Sequence, residues 1–175
     1  MANTDYQTNM GRARGPNSGA SSSSTGVRAF DNTIQKAMVY LNELSDELGL
    51  ESRERAYSLM RAVLHVMRDI VPQETAVKLG AQLPLILRGM YYDGWSFGSY
   101  EKCHSRDELF ERVRARFSPE DQAHQDDESP ALDPERVVRA VNGVLARHLS
   151  LGEIEKVRAT LHESLKDLWP GESVH

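Results

Sequence analysis

A helix that is apolar around most of its circumference has to be surrounded, and residues 53–69 of this chain read as such a helix. Ala56, Leu59, Met60, Ala62, Val63, Leu64, Val66 and Met67 leave only a narrow polar stripe of Glu54, Ser58, Arg61, His65 and Arg68. Neighbours must touch it from several sides. The flanking sequence supplies them. Ile34, Met38, Leu41, Leu44 and Leu48 recur at helical spacing after Asp31, a candidate N-cap, and before Gly49, a left-handed stop. Ser52 caps the central helix. Pro72 suits the first turn of a third helix, with Ala76, Leu79, Leu83, Leu87 and Met90 as its stripe. Pro84 falls inside that stripe and predicts a kink or restart at Gln82-Leu83-Pro84, while Gly80 permits close approach of a neighbour. Asp93-Gly94 ends the element in a turn.

The second half repeats this grammar. An S-x-x-E capping box from Ser105 to Glu108 opens a fourth helix through Leu109, Phe110, Val113 and Phe117. Asp133-Pro134 opens a fifth, with Val137, Val138, Val141, Val144, Leu145 and Leu149. A second capping box at Ser150 and Glu153 opens a sixth, carrying Ile154, Val157, Leu161, Leu165 and Leu168 to a stop at Trp169-Pro170. Nothing alternates like a strand. The expected fold is all-α: a six-helix bundle over residues 29–175 behind a disordered N-terminal tail, residues 1–28, of Gly/Ser-rich composition. A docking peptide around Tyr6 to Arg14 is the sharper reading of that tail. Residues 119–130 read as an acidic, solvated linker that supplies most of the net charge of −5.

The halves also align with each other. Glu54-Arg55 falls on Glu135-Arg136. With three residues dropped, Leu83 falls on Leu161, Leu87 on Leu165, Arg88 on Lys166 and Tyr91 on Trp169. The sequence thus reads as two repeated three-helix units, about 30–100 and 105–170, packed about a pseudo-two-fold axis.

The run RAVLHVMRD, then LGAQLPLILRGMYYDGW, then LSLGEIEKV with a closing LW, resembles a bacterial family known as domain of unknown function 2267. The likeness covers roughly Phe30 to Pro170, and the AQLP…RGMYYDGW stretch is its most specific part. It implies a small helical bacterial protein and brings no established activity, cofactor or catalytic residues.

Candidate sites follow from the residues. Tyr91, Tyr92, Trp95, Phe97 and Tyr100 form the densest aromatic run. With Arg88 to hold an anionic group, they suit a pocket for a flat ligand or a partner surface. The leading reading is structural: the rings cover the open end of a bundle, with Arg88 at the negative end of a helix dipole. His65 and Asp69, four apart, can share a face as a carboxylate-oriented base. Their neighbours Arg61 and Arg68 favour a solvated or ion-paired face instead. No third ligand stands at recognisable spacing for a metal. His148 and His162 could approach one another, though no motif joins them. Cys103 beside His104 hints at an activated thiol. There is no P-loop, no G-x-G-x-x-G after a strand, no C-x-x-C and no G-x-S-x-G.

The function class expected is a non-catalytic interaction module of a bacterial cytoplasm, with a stress or regulatory role as its loosest extension. The cytoplasm is inferred because a single cysteine cannot form an internal disulfide and no secretory leader is present. The partner would be a protein or a second copy of the chain, with Arg88, Tyr91, Tyr92, Trp95, His65 and Asp69 as its contact residues. No cofactor is expected. Membranes are disfavoured because no run nears the ~18 apolar residues of a span, and nucleic acid by the negative charge. The alternative is a small-molecule binder or minor enzyme with its pocket between the two repeats.

Overall fold

Arg53–Ile70 forms the surrounded helix, α2, capped by Ser52, whose side chain accepts from the Arg55 N–H. From Leu59 to Ile70 its buried residues run almost unbroken and include His65 and Arg68 from the polar stripe. The computed structural model describes residues 25–122 and 132–171. Among them lie eight α-helices, one 3-10 helix and no strand. Arg28–Leu48 forms α1, Gln73–Gln82 α3, Leu85–Tyr92 α4, Arg106–Arg114 α5, Pro119–Gln122 α6, Pro134–His148 α7 and Leu151–Thr160 α8, with the 3-10 helix closing at Glu163–Leu168. Helices α1, α3, α4, α5 and α7 all pack on α2. No helix among the described residues is long and apolar enough to cross a membrane.

Most caps stand where the residue types place them. Ser105, Asp133 and Ser150 accept amide hydrogen bonds at the starts of α5, α7 and α8. Gly49 ends α1 at φ 69°, with the Leu50 N–H returning to the Ser45 carbonyl at 2.8 Å. Asp31 departs from expectation. Helix α1 begins four residues earlier than a cap at Asp31 would place it, behind Val27 with no side-chain cap, and Asp31 sits in its first turn. There its Oδ1 accepts from the Thr25 N–H at 2.7 Å and the Thr25 hydroxyl at 2.8 Å. A carboxylate in a first turn still meets the positive end of the helix.

The six expected helices become nine among the described residues because both closing helices break and a short α6 forms at the start of the expected acidic linker. Pro84 breaks the first, as its missing N–H requires. Leu83 turns extended (ψ 146°) and α4 restarts beyond it. The second break comes without a proline. Leu161 is extended in the same way (ψ 153°), and the His162 side chain accepts from the Ser164 N–H to start the 3-10 helix. Each short closing piece is strapped to the interior through a carbonyl near its end. His65 donates from Nε2 to the Met90 carbonyl at 2.7 Å, and Asn142 from Nδ2 to the Leu168 carbonyl at 3.0 Å. The next residues, Tyr91 and Trp169, are among the largest fully buried side chains.

The acidic segment is not solvated throughout. Asp121 in α6 keeps only 1% of its side chain exposed, and it accepts from Arg55 Nε at 2.6 Å and from the Ser118 hydroxyl at 2.8 Å. A carboxylate buried this far needs such partners. Residues 123–130 of that segment, and the whole Tyr6 to Arg14 stretch, lie outside the described residues.

Candidate functional site

The residues after α4 turn twice through positive-φ glycines, Gly94 (φ 65°) and Gly98 (φ 92°). Between and beyond them the chain lays its aromatic side chains along one edge. Tyr91 points inward; it is fully buried and its hydroxyl donates to the Ala76 carbonyl at 2.9 Å. Burial holds that phenol far above its usual range, with the Tyr92 hydroxyl adding to the effect. Tyr92 donates to the Val77 carbonyl at 3.2 Å and meets Trp95 at a ring-centroid distance of 5.4 Å. Trp95 is half-buried and meets Phe97 at 5.8 Å. Phe97 ends the row 81% exposed, and Tyr100 is exposed beyond it. The row therefore runs from core to solvent.

The polar stripe of α2 is the mount for this loop. Beside the His65 strap, Arg68 donates to the Tyr91 carbonyl and, at 2.9 Å, to the Asp93 carbonyl. Arg61 pairs with the Asp93 carboxylate at 2.7 Å. Asp69 accepts from Arg68 at 2.9 Å and Arg116 at 3.0 Å, and its own carbonyl accepts the Glu101 N–H at 2.8 Å. These groups are consumed in holding residues 90–101. His65, 3% exposed, lines neither the groove beside α1 nor the clefts beside residues 118–121 and beside Ser99, and its carbonyl partner fixes the proton on Nε2. Desolvation holds its pKa below the ordinary value; the Met90 carbonyl opposes this, and Arg68, Arg61 and Arg116 add to it. Asp69 is ion-paired with Arg68 and Arg116, whereas His65 is neither ion-paired nor solvated but buried on the Met90 carbonyl. The two do not form a carboxylate-oriented base.

Arg88 lies apart from the aromatic row. Its Nε donates to the Gly80 carbonyl at 3.1 Å, and its Nη2 to those of Ala81 at 2.8 Å and Leu83 at 3.1 Å. It clamps the α3–α4 joint, adding donors to the last carbonyls of α3 and to that of its C-cap Leu83; the Gly80 carbonyl also accepts the Leu83 N–H at 3.2 Å. Gly80 makes that joint possible: a Cβ there would stand 2.4 Å from the Tyr92 hydroxyl oxygen.

The other candidates separate. Cys103 is 2% exposed, its Sγ donates to the Ser105 carbonyl at 3.3 Å, and burial pushes its pKa up. That environment quiets a thiol. His162 meets His104 edge-on at 5.9 Å, while His148 stacks on Tyr40 at 4.3 Å, so His148 and His162 are not brought together. Among the described residues no cluster of His, Cys, Asp or Glu is arranged to hold a metal ion.

Sequence reasoning named Phe97 in the aromatic run without ranking it as a contact. The glycines flanking its turn were the signal for its exposure. Arg68 as an anchor had no local signal, because its acceptors are backbone carbonyls 23 and 25 residues away.

Fold and site together define an all-helical scaffold that carries a braced aromatic loop on its central helix. Within that class the chain belongs to a family described as uncharacterized conserved protein (DUF2267), whose model matches residues 38–168, from the middle of α1 to the end of the 3-10 helix. No curated protein matches the chain.

Proposed function

We propose that this protein is a non-catalytic interaction module whose working surface is the outer row Tyr92, Trp95, Phe97 and Tyr100, and whose occupant is an apolar segment of a partner protein. The observation that carries this is Phe97, 81% exposed in a loop that α2 anchors at both ends, through Arg68 on the Tyr91 and Asp93 carbonyls and through the Asp69 carbonyl on the Glu101 N–H. Burying such a ring is worth roughly 1.5–3 kcal/mol, and a loop that served only as cover would turn it inward. Aromatic side chains that are positioned yet uncovered are what partner surfaces are made of. Tyr91, His65 and Asp69 contribute by position, holding the row without touching the occupant. We place the protein in a bacterial cytoplasm, on the family resemblance and the lone, buried Cys103.

A photoreactive phenylalanine analogue at position 97, introduced in the protein's own host, tests this. A discrete cross-linked polypeptide is expected from position 97 and not from Tyr57, an exposed ring on α2. A cross-link to the chain itself would make the partner a second copy. Absence of any polypeptide at position 97 overturns the reading.

We infer also that the scaffold arose from two copies of one helical unit. Pairing α1 with α5, α2 with α7, α3 with α8 and α4 with the 3-10 helix maps many packed pairs onto other packed pairs. Contacts of α1 with α2 and with α7 correspond to those of α5 with α7 and with α2, and contacts of α4 with α2 and α3 to those of the 3-10 helix with α7 and α8. The matched helices α2 and α7, and α3 and α8, also touch, as elements beside a pseudo-two-fold axis do. One role differs: Arg88 clamps carbonyls, whereas Lys166 pairs with Glu163 at 2.7 Å. An alignment of family members showing no shared residue preferences between columns 83–91 and 161–169 would overturn duplication.

A further inference from the structure

The α3–α4 joint forms one wall of an open groove of about 670 Å³; the N-terminal half of α1 forms the other, and His148, the last residue of α7, closes one end. That volume lies in the range of small-molecule sites, about 300–1,000 Å³. Charge separates it from two other open clefts among the described residues. Lys36, Arg88 and His148 line it, and no carboxylate does. The cleft between α2 and residues 118–121 carries Glu51, Glu54, Asp93 and Asp121 against Arg55 and Arg61, and the cleft beside Ser99 carries Asp69 and Glu101 against Arg112 and Arg116. Lys36 is exposed and pairs with no carboxylate among the described residues.

Tyr40 gives the second, independent observation. It is 5% exposed, lines the groove and stacks on His148 with an interplanar angle of 27°. Its hydroxyl hydrogen-bonds to no described residue and is open to the groove, and Thr33 Oγ1, on the same lining, is buried with no hydrogen-bond partner. The stack is fixed from behind. His148 Nε2 lies 2.8 Å from Glu43 Oε1, and Arg147 Nε donates to Glu43 Oε2 at 2.8 Å. Desolvation raises the Glu43 pKa, but those two partners outweigh it and hold the carboxyl below its usual range, so the pairing persists at neutral pH. On the opposite wall, α4 starts behind Pro84 with no side-chain cap, and Leu85 in its first turn lines the groove. Uncapped amides add positive potential there.

We propose that this groove binds a small organic anion, a carboxylate or phosphate on a flat or aliphatic body, with Lys36 and the Tyr40 hydroxyl on the anionic group and Leu85 and Val39 against the body. Arg88 keeps its hydrogen bonds to the joint and contributes charge at short range. The site is separate from the aromatic row, and either can fail without the other.

Titration followed by amide NMR tests it, with phenyl phosphate and benzoate as anionic probes and benzyl alcohol as the neutral one. Saturable shifts at Thr33, Lys36 and Leu85 are expected with an anion and not with the alcohol. The tighter anion identifies the headgroup. Lys36→Gln and Tyr40→Phe should each weaken binding about tenfold with the unfolding midpoint unchanged, because neither group has a partner in the fold. Equal binding of benzyl alcohol overturns the proposal, as does wild-type affinity in both variants. So does binding to phosphatidylglycerol vesicles when neither soluble anion binds.

Discussion

His65 is the residue whose surroundings say most about the molecule, because a histidine held neutral in a core makes stability depend on pH. Its folded-state pKa lies below the ordinary histidine value of about 6.5, from desolvation first. Above that pH both folded and unfolded chains keep the ring neutral. As the pH falls through it, the unfolded chain takes up a proton that the folded one refuses, so stability declines until the lower folded pKa is reached. Urea midpoints measured from about pH 7.5 down to about pH 5 should therefore fall, and fall less in His65→Gln. An equal slope in that variant would remove His65 as the cause. Tyr91→Phe should cost about 1 kcal/mol in the same assay, the usual net worth of one buried hydrogen bond. The native protein should leave Cys103 unmodified by a thiol reagent until it unfolds; fast labelling would contradict the burial of that group. None of this was legible at the residue scale. A stripe of Arg, His and Asp looks the same in sequence whether it meets water or backbone carbonyls, and the carbonyls that claim Arg68 and His65 belong to a distant loop.

At the scale of elements, local chemistry read well where one residue decides the geometry. Gly49 and the serine caps at 52, 105 and 150 stand where their residue types place them, and Pro84 forces the restart of α4. The break at Leu161 went unforeseen because no residue there forbids a helix; the His162 cap acts together with packing around Leu161 and Leu165. The α3–α4 joint carries the prediction proper to this scale. Arg88→Gln removes donors from three carbonyls and should destabilise the protein by roughly 1–3 kcal/mol. Gly80→Ala should cost a similar amount, about 1–3 kcal/mol, since its methyl displaces the Tyr92 hydroxyl. Urea unfolding of each checks both, and a neutral Arg88→Gln would return that residue to the role of a free anion ligand.

For the whole molecule, the all-α architecture followed from the one helix that had to be surrounded. The count of helices did not, and neither did the assignment of the polar stripe. Packing resolved both. The chain builds a central helix, covers it from several sides, and uses its few polar side chains to hold a turn whose last ring stays in water. That arrangement separates roles that the sequence presents as one run. Tyr91 belongs to the core, Arg88 to a joint, and Phe97 to the surface. The groove beside α1 joins Lys36 and Tyr40 to His148 across more than a hundred residues, a juxtaposition that no local pattern announces.

The most direct test of the central claim pairs two readings on Phe97→Ala: its thermal midpoint and its retention of the polypeptide cross-linked at position 97. A ring exposed on a braced turn predicts an unchanged midpoint and loss of the partner. A lowered midpoint with the partner retained would make the aromatic row a part of the fold and not a surface for binding.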